Sequence, residues 1–381
     1  MNARMLIMNM GSTSTKVAVY NGEEMVWKKT IDHPREDISR YLKYMDQCEY
    51  RKEKILELVR ENGEKMESFD VFVSRGGTIR PIPGGIFKIC KQMLEDSQCG
   101  LYGDHPCNLG GQIAYDWAQQ YDREALTVDP EICGELCEEA IFSGLPGIER
   151  LGSFHNLNQR AIARKYAIDS GIPYDSLNLI IAHMGGGTSV AAHAKGKVID
   201  VNNALAGDGP FALERSGGLP VGSLIELCYS GCYSKEEMKR IVNGRGGVYA
   251  YLGTTDGKEL SKRIEERDQK TELVVRAMAY QIAKEIGALS AVFRGKVDAI
   301  LFTAGLAHWD YFVNLIKERV EFIAPVHVYP GEDEMESLAK GTYRALIGKE
   351  LRQDYVEGVE KIERSRIVNR DTSWFWHPAK K

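Results

Sequence analysis

The sequence predicts an α/β protein built from two related lobes, and three observations lead to that prediction. The chain has 381 residues, more than one ordinary hydrophobic core needs and enough for two domains. An apolar strand, a turn of small residues and a second strand occur near the N-terminus and again before the middle of the chain. Helical and strand-like patterns alternate around these two copies, as in α/β proteins.

The two copies align without a gap. Residues 6–22 read LIMNMGSTSTKVAVYNG and residues 180–196 read IIAHMGGGTSVAAHAKG, so that Met10 falls on Met184. Each copy ends in a two-residue turn, Asn-Gly in the first and Lys-Gly in the second, which predicts a β-hairpin. Because two turns match at once over a repeat of about domain length, we interpret the pattern as a duplication rather than as a chance match of glycine-rich turns.

The small residues at the two hairpin tips indicate phosphate binding. Backbone N–H groups at such turns form a concave anion site, and small side chains let a phosphate approach. The chain has no P-loop, no strand that carries G-x-G-x-x-G into a helix, and no protein-kinase motif. We therefore expect a nucleotide to be held by two hairpin tips that face each other across a cleft.

The next elements follow in order along the first half of the chain. Strand-like DVFVSRGG ends at Gly77, a helical pattern covers about residues 108–121, and a short strand ends at Asp129. Another helix is predicted over residues 158–167, and the second hairpin begins near Leu177.

The second half contains an irregular loop over residues 203–222, longer than a connection needs. Apolar residues at three- and four-residue spacing predict a helix over residues 274–293, which leads to a buried strand within residues 297–309. Ligands in open α/β sheets bind beyond the carboxyl ends of strands, which makes residues 303–306 a candidate site. A last helix is predicted over residues 332–346.

From these elements we place the first lobe at residues 1–150 and the second, which carries most of the nucleotide site, at residues 151–350. Residues 351–381 form a tail that is charged and then reads SWFWHP near its end. Its role is not assigned; we expect it to pack on the body of the protein, in part on the first lobe, or on a partner.

Composition excludes several classes of function. Hydrophobic residues make up 43% of the chain and charged residues 27%, as in soluble globular proteins. The formal net charge is -5 without a basic stripe, so nucleic acid is not an expected partner. With no apolar run of membrane-spanning length and no cleavage pattern in residues 1–11, we expect a cytoplasmic protein with no membrane partner. The eight cysteines lack zinc-finger spacing, so we expect reduced thiols rather than a metal site.

A set of motifs spread over residues 5–348 resembles the acetate kinase–sugar kinase–heat-shock chaperone–actin superfamily, and within it the acetate/butyrate kinase family. The motifs are NMGSTSTK, SRGG, HPCNLG, FHNLNQRA, HMGGGTSVAAH, RSGGLPVG, FTAGLAHW and PGEDEMESLAKG. The resemblance implies two actin-like (ribonuclease H-like) lobes with a nucleotide cleft between them. It also implies a homodimer or higher homo-oligomer.

The activity that the resemblance implies is exchange of ATP and a short-chain fatty acid, butyrate above all, with an acyl phosphate and ADP in the presence of Mg²⁺. An acetate, propionate or branched-chain fatty acid kinase is the alternative with the same chemistry. A non-catalytic, ATP-gated binding protein of the same superfamily is the alternative of another class.

Motif position implies a role for individual residues. The catalytic set, with the two arginines beside the acyl phosphate and the histidine at the phosphoryl group, is Arg75, Arg215, His155, Asp129 and Asn9. The set that contacts the nucleotide is His183, Gly185, Gly186, Gly187, Gly305, Ser12 and Lys16. The metal set is Glu334, Asp129 and Asn9, with Asp333 as an alternative to Glu334.

Two departures from acetate kinases accompany the resemblance. Acetate kinases carry His-Asn-Pro-Ala-Asn where residues 104–108 read DHPCN, so His105 is offset by one position. Gly218 stands where acetate kinases have an acidic residue, which favours the butyrate kinases.

The reaction itself gives a separate reason to single out the arginines. A fatty-acid carboxylate has a pKa of about 4, so it is ionised at neutral pH and needs no general base. It needs relief from repulsion by the anionic phosphate, and Arg75 and Arg215 in glycine-rich loops would supply that charge. Taken one by one, Arg75 also fits a solvated loop, His155 a helix entry and Asp129 an ordinary turn. The family motifs favour the catalytic interpretation of the set.

Overall fold

The chain folds into two compact units in the computed structural model, which describes residues 2–41, 43–100, 102, 105–205 and 207–365. Among the described residues, the first unit comprises those up to 135 together with 333–365, and the second comprises those within 136–332. The second unit thus begins before the boundary predicted after residue 150, and residues 333–350, predicted in the second lobe, belong to the first unit. The sequence SWFWHP lies outside the described residues.

The strands of the described chain are β1 (Arg4–Met10), β2 (Ser14–Asn21), β3 (Glu24–Asp32), β4 (Val71–Ser74), β5 (Ile86–Lys88), β6 (Glu124–Val128), β7 (Ile132–Cys133), β8 (Gly152–Ser153), β9 (Asn178–Met184), β10 (Thr188–Ala194), β11 (Lys197–Val201), β12 (Ala299–Ala304), β13 (Val326–Pro330) and β14 (Arg352–Gln353).

The α-helices are α1 (Arg35–Ile38), α2 (Cys48–Glu61), α3 (Lys91–Gln98), α4 (Cys107–Tyr121), α5 (Glu138–Ile141), α6 (Asn156–Ser170), α7 (Val221–Tyr229), α8 (Lys235–Val242), α9 (Gly247–Leu252), α10 (Gly257–Glu265), α11 (Gln269–Val292), α12 (Asp310–Val320), α13 (Glu334–Leu346) and α14 (Tyr355–Ser365). Short 3₁₀ turns cover Tyr44–Gln47, Met66–Ser68, Tyr174–Ser176 and Gly305–His308.

The first unit is built on a mixed seven-stranded sheet in the order β14-β5-β6-β4-β1-β2-β3. Strands β1, β4 and β6 are parallel neighbours, and β2 returns antiparallel beside β1. Their apolar side chains, Leu6 and Phe72 among them, are buried against α4, which contributes Trp117. After α13 the chain adds β14 to the edge of this sheet, and α14 buries Tyr355 and Val359 in the same core.

The second unit is built on a mixed five-stranded sheet in the order β11-β10-β9-β12-β13. Strands β9, β12 and β13 run parallel, and β10 returns antiparallel beside β9. The long helix α11 packs Val275, Met278 and Ile282 into the core, as its apolar spacing predicts. Two mixed α/β sheets, each beginning with a hairpin, agree with the predicted fold class. Within the described ranges, no helix combines the length and apolar character needed to cross a membrane.

The first hairpin differs from its prediction in one detail. Asn21 still pairs with Arg4 and Glu24, so the tight turn consists of Gly22 and Glu23 instead of Asn21 and Gly22. Both hairpins have a register shift before this turn, between Val19 and Tyr20 in the first and between Ala192 and His193 in the second, so the shift lies one aligned position later in the first copy. The second hairpin turns at Lys195-Gly196 as predicted, with both residues at positive φ.

Candidate active site

Three predicted residues lie at one edge of the first sheet. Asn9 is the penultimate residue of β1, Arg75 follows β4 directly and Asp129 follows β6 directly. Because these strands are parallel neighbours, their carboxyl ends share an edge, the usual place for ligands in α/β sheets.

Arg75 and Glu334 form the centre of this group. Arg75 Nη1 lies 2.7 Å from Glu334 Oε1, and Arg75 Nη2 forms an ion pair with Glu131 Oε1. Asn9 Nδ2 donates a hydrogen bond to the other carboxylate oxygen of Glu334. The side chains of Arg75, Glu131 and Glu334 are mostly buried. Both terminal nitrogens of the guanidinium therefore already bind carboxylates, which together with phosphates are the groups that its donor fork matches, and these contacts fix its orientation.

Asp129 is held in an uncommon backbone conformation beside this group. Its φ is 44°, in the left-handed region that few residues other than glycine adopt. The carboxylate oxygen Oδ1 accepts a 2.8 Å hydrogen bond from the backbone N–H of Gly85, and Asp129 itself is buried. The conformation therefore depends on specific bonds, which is common at functional sites.

The structure distinguishes the two candidate metal carboxylates. Asp333 caps α13 by accepting a hydrogen bond from the N–H of Glu336 at 3.0 Å, and it pairs with Lys28 at 3.1 Å. Glu334 instead contacts Asn9 and Arg75, so Glu334 is the one of the two carboxylates that joins the Arg75 group.

The two remaining first-unit candidates lie on the first hairpin. Ser12 is exposed in the turn between β1 and β2, and Lys16 is exposed on β2 opposite Asn9. The structure does not bring Lys16 into the described Arg75 contacts. Behind the turn lies Arg51, which is fully buried and donates hydrogen bonds to the carbonyls of Gly11, Ser12 and Ser14.

In the second unit, His155 and His183 stack face to face. Their ring centroids lie 3.7 Å apart with an interplanar angle of 5°. His155 Nδ1 is 2.9 Å from Ser189 Oγ, and His183 Nδ1 is 3.0 Å from Asn158 Oδ1. Because an amide oxygen only accepts hydrogen bonds, Nδ1 of His183 is the donor to Asn158 and carries the proton. The other ring nitrogen of His183, Nε2, lies 3.4 Å from Glu332 Oε2.

The glycine turn Gly185–Gly187 connects β9 to β10 directly beside these histidines. A Cβ atom on Gly187 would lie 2.6 Å from Cζ of Arg215, so only glycine lets this guanidinium pack on the turn. Arg215 is further fixed by hydrogen bonds to the Ala204 carbonyl at 2.8 Å and to Asn243 Oδ1 at 3.2 Å.

Gly305 lies at the same edge of the second sheet as the glycine turn. It begins the 3₁₀ turn after β12, and β12 is parallel to β9. The preceding Ala304 has a φ of 72° and forms a backbone bridge with Gly331. A Cβ on Gly185 would lie 3.8 Å from that of Ala304, so the two backbone segments are neighbours.

Residues 142–332, half of the chain, match the Acetokinase family. The chain belongs to the acetokinase family. It is accordingly a phosphotransferase of the class that uses a carboxyl group as acceptor.

Solved structures of similar fold span almost the whole chain. Porphyromonas gingivalis acetate kinase is 21% identical with a TM-score of 0.72, covering 90% of this chain and 100% of its own. A propionate kinase from Francisella tularensis is 17% identical with a TM-score of 0.72, covering 89% and 98%. Acetate kinase from Entamoeba histolytica is 18% identical with a TM-score of 0.71, covering 89% and 99%. At these identities the likeness confirms the predicted actin-like fold.

Several residues that organise the site were not predicted from sequence. They are Arg51, Glu131, Asn158, Ser189 and Glu332. Glu131 and Glu332 lie within two residues of the predicted Asp129 and Glu334, so a search for carboxylates around those motifs would have included them. Arg51 carries no such signal, because it lies in a polar helix far from any motif.

Proposed function

We propose that this acetokinase-family protein transfers the γ-phosphoryl group of ATP to the carboxylate of a short-chain fatty acid, reversibly and with Mg²⁺. The observation that carries the proposal is the buried Arg75, held by Glu131 and Glu334 with Asn9 alongside. A guanidinium at the carboxyl ends of parallel strands suits the binding of an acyl phosphate.

The acceptor carboxylate does not require a catalytic base. It is ionised at neutral pH, and the barrier lies in bringing one anion to another. Arg75, and Arg215 in the second unit, lower that barrier because each presents a permanent positive charge in a fixed orientation. A kinase acting on a sugar hydroxyl would instead need a carboxylate to accept the hydroxyl proton.

Asn9, Asp129 and Glu334 would hold the magnesium ion. Amide and carboxylate oxygens are the hard donors that Mg²⁺ prefers, and the structure joins Asn9 to Glu334. When bound, the ion supplies positive charge to the phosphate oxygens. The contact between Glu334 and Arg75 keeps the carboxylate oriented toward the same group.

In the second unit, we assign the nucleotide to the glycine turn and the neighbouring strand end. The backbone N–H groups of Gly185–Gly187 would bind phosphate oxygens, with His183 beside them. His155 would donate to the phosphoryl group, held in place by Ser189. Gly305, an exposed residue without a side chain, would face the adenosine.

The acyl chain is the finer part of the proposal. The similar solved structures carry the names of acetate and propionate kinases, which makes acetate and propionate the first acceptors to test. Gly218 is the sequence feature that favours butyrate. Two fatty acids that differ by one methylene differ in transition-state binding by only about 1–3 kcal/mol, so we expect kcat/KM to change gradually over neighbouring chain lengths.

The first test is ATP-dependent acyl phosphate formation, trapped with hydroxylamine, across acetate, propionate, butyrate, isobutyrate and valerate. A maximum of kcat/KM at acetate or propionate supports the smaller acceptors, and one at butyrate or valerate supports the prediction from sequence. ADP binding without activity on any of these acids would overturn the proposed reaction and favour a non-catalytic, ATP-gated binding protein.

The second test separates catalysis from nucleotide binding. Arg75→Ala and Arg215→Ala should each lower turnover by orders of magnitude while ADP still binds in isothermal titration. Arg60→Ala, which removes an exposed arginine at the end of α2, is the matched control. Full turnover in both active-site variants contradicts the assignment. Sedimentation of the same samples tests the homodimer that the resemblance implies.

A further inference from the structure

Three potential metal ligands meet beside Arg75, and the proposed reaction assigns none of them a contact with substrate, nucleotide or magnesium. They are His105, Cys107 and Glu131, and one ligand atom from each lies within 4.8 Å of the other two. They come from separate segments, since His105 precedes α4, Cys107 begins it and Glu131 lies between β6 and β7. The spacing of cysteines along the sequence therefore gives no sign of the group.

The three side chains are already oriented toward one another. His105 Nδ1 lies 2.9 Å from Cys107 Sγ and also accepts the Cys107 backbone N–H at 3.3 Å. Cys107 is 1% exposed and Glu131 is 7% exposed. The group is thus a preformed pocket of donors and not a chance meeting of surface side chains.

One oxygen of Glu131 lacks a partner in this pocket. Arg75 takes Oε1, whereas Oε2 is buried with no hydrogen bond to any residue that the structure describes. A buried carboxylate oxygen without a partner is unfavourable, because it has lost its hydration and gained nothing in return. A cation held by Cys107 and His105 would provide the missing interaction.

We propose that His105, Cys107 and Glu131 form a binding site for a thiophilic divalent cation such as Zn²⁺. Imidazole nitrogen, thiolate sulfur and carboxylate oxygen are the donors that Zn²⁺ takes, and three of them leave a fourth position open. Mg²⁺ prefers all-oxygen surroundings, so this site differs from the one assigned to Asn9, Asp129 and Glu334.

Charge and protons balance on binding. Burial raises the pKa of the Cys107 thiol well above its usual value, so the thiol is protonated before the cation enters. Coordination releases that proton to solvent, and the resulting thiolate together with Glu131 neutralises the divalent charge. Glu131 would then bind the cation while pairing with Arg75, which becomes the outer partner that ligating carboxylates commonly have.

Co²⁺ is the direct probe, because a thiolate ligand gives an intense sulfur-to-cobalt charge-transfer band. The full chain is titrated with Co²⁺ in the presence of saturating Mg²⁺, and Zn²⁺ is added to displace it. The wild type and Cys48→Ser, which removes another half-buried thiol of the first unit, should show the band. Cys107→Ser should lose it. Absence of the band in the wild type, or its persistence in Cys107→Ser, overturns the site.

Two further variants keep the test decisive if Cys107→Ser folds poorly. His105→Ala and Glu131→Gln retain the thiol but each removes one ligand, so half-saturation should require roughly tenfold or more Co²⁺. Unchanged half-saturation in both variants would contradict the proposed ligand set. Circular dichroism confirms that each variant is folded.

A consequence for activity rests on the proposed function. Cation binding to Glu131 alters the environment of Arg75, so micromolar Zn²⁺ should inhibit acyl phosphate formation in the wild type and in Cys48→Ser more than in Cys107→Ser. The two readouts are independent. A cobalt band without any acyl kinase activity would support the cation site and contradict the proposed function.

Discussion

The two hairpin turns share a sequence pattern but are supported in different ways. In the first, Met10 pairs with Thr15, so four residues from Gly11 to Ser14 form the turn. In the second, Met184 pairs with Thr188, so only Gly185–Gly187 form it. The gapless alignment places Thr188 on Ser14 and not on Thr15. The return strand therefore begins to pair with the first strand of its hairpin one aligned residue earlier in the second copy.

The longer first turn depends on the side chain behind it. Arg51 donates to three of its carbonyls and to Thr15 Oγ1, and Gln47 accepts from the same guanidinium. Every described acceptor is an uncharged oxygen. The buried positive charge is therefore not neutralised locally, and it favours an anion at the tip of the turn.

The shorter second turn consists of bare backbone, and the charged side chains packed on it are Glu214 and the candidate site residue Arg215. The comparison indicates that one copy of the duplicated hairpin keeps its shape through a buried structural arginine. The other has candidate functional side chains packed on its backbone, as in the proposed function. Breaking the first turn should therefore mainly affect stability, and breaking the second should mainly affect turnover.

Arg51→Met should have the largest effect on stability. It leaves the carbonyls of Gly11, Ser12 and Ser14 without their buried donor, at about 1–3 kcal/mol for each unsatisfied group. We expect the free energy of unfolding, measured in urea, to fall by about 3 kcal/mol or more. Arg60→Met on the exposed face of the same helix is the control. A loss below about 1 kcal/mol would show that the turn does not depend on Arg51.

Gly187→Ala should affect turnover more than stability. The new methyl group would displace the mobile end of Arg215, and a misplacement of about 1 Å lowers rates by about 100-fold. Urea denaturation should change little, because the guanidinium can move aside. Gly144→Ala, where the added Cβ meets open space, serves as the control. Equal turnover in both variants would argue against an active role for Arg215.

Ser189→Ala tests the support beneath the histidines. The buried hydroxyl lies 2.9 Å from His155 Nδ1 and accepts from Gln159 Nε2 at the same distance. Removing the hydroxyl costs the hydrogen bond that orients His155, worth about 1.4 kcal/mol, so kcat should fall about tenfold. Ser170→Ala at the exposed end of α6 controls for the substitution. A change in KM for the fatty acid alone would place His155 outside the phosphoryl step.

The sequence predicted the elements whose signals are local. The apolar period of α11 and the two matching hairpins lie within short windows, so their positions agree with the structure. The first of these turns was predicted at Asn21-Gly22 and lies at Gly22-Glu23, because the position of the register shift before it leaves no mark in the composition.

Contacts between distant segments could not be predicted in the same way. Arg75, Glu131 and Glu334 meet only because parallel strands and α13 bring three separate segments to one edge of the first sheet. Arg51 binds backbone carbonyls, which every residue possesses, so no partner residue reveals its role. The motif resemblance made Arg75 and Glu334 candidates, and the structure shows the groups that hold them.

The smallest expected effect concerns pH and again distinguishes the first turn. His33 Nε2 lies 2.8 Å from Thr15 Oγ1, and burial together with the charge of Arg51 lowers the pKa of His33 from 6.5 to about 4. Between these values the unfolded chain binds a proton that the folded chain does not, so stability falls as the pH drops from 6.5 toward 4. Burial also lowers the pKa of His193 in the second unit, so part of the pH dependence belongs there. His33→Gln should reduce the slope of unfolding free energy against pH in this window without abolishing it. An unchanged slope would show that the proton taken up on unfolding does not come from His33.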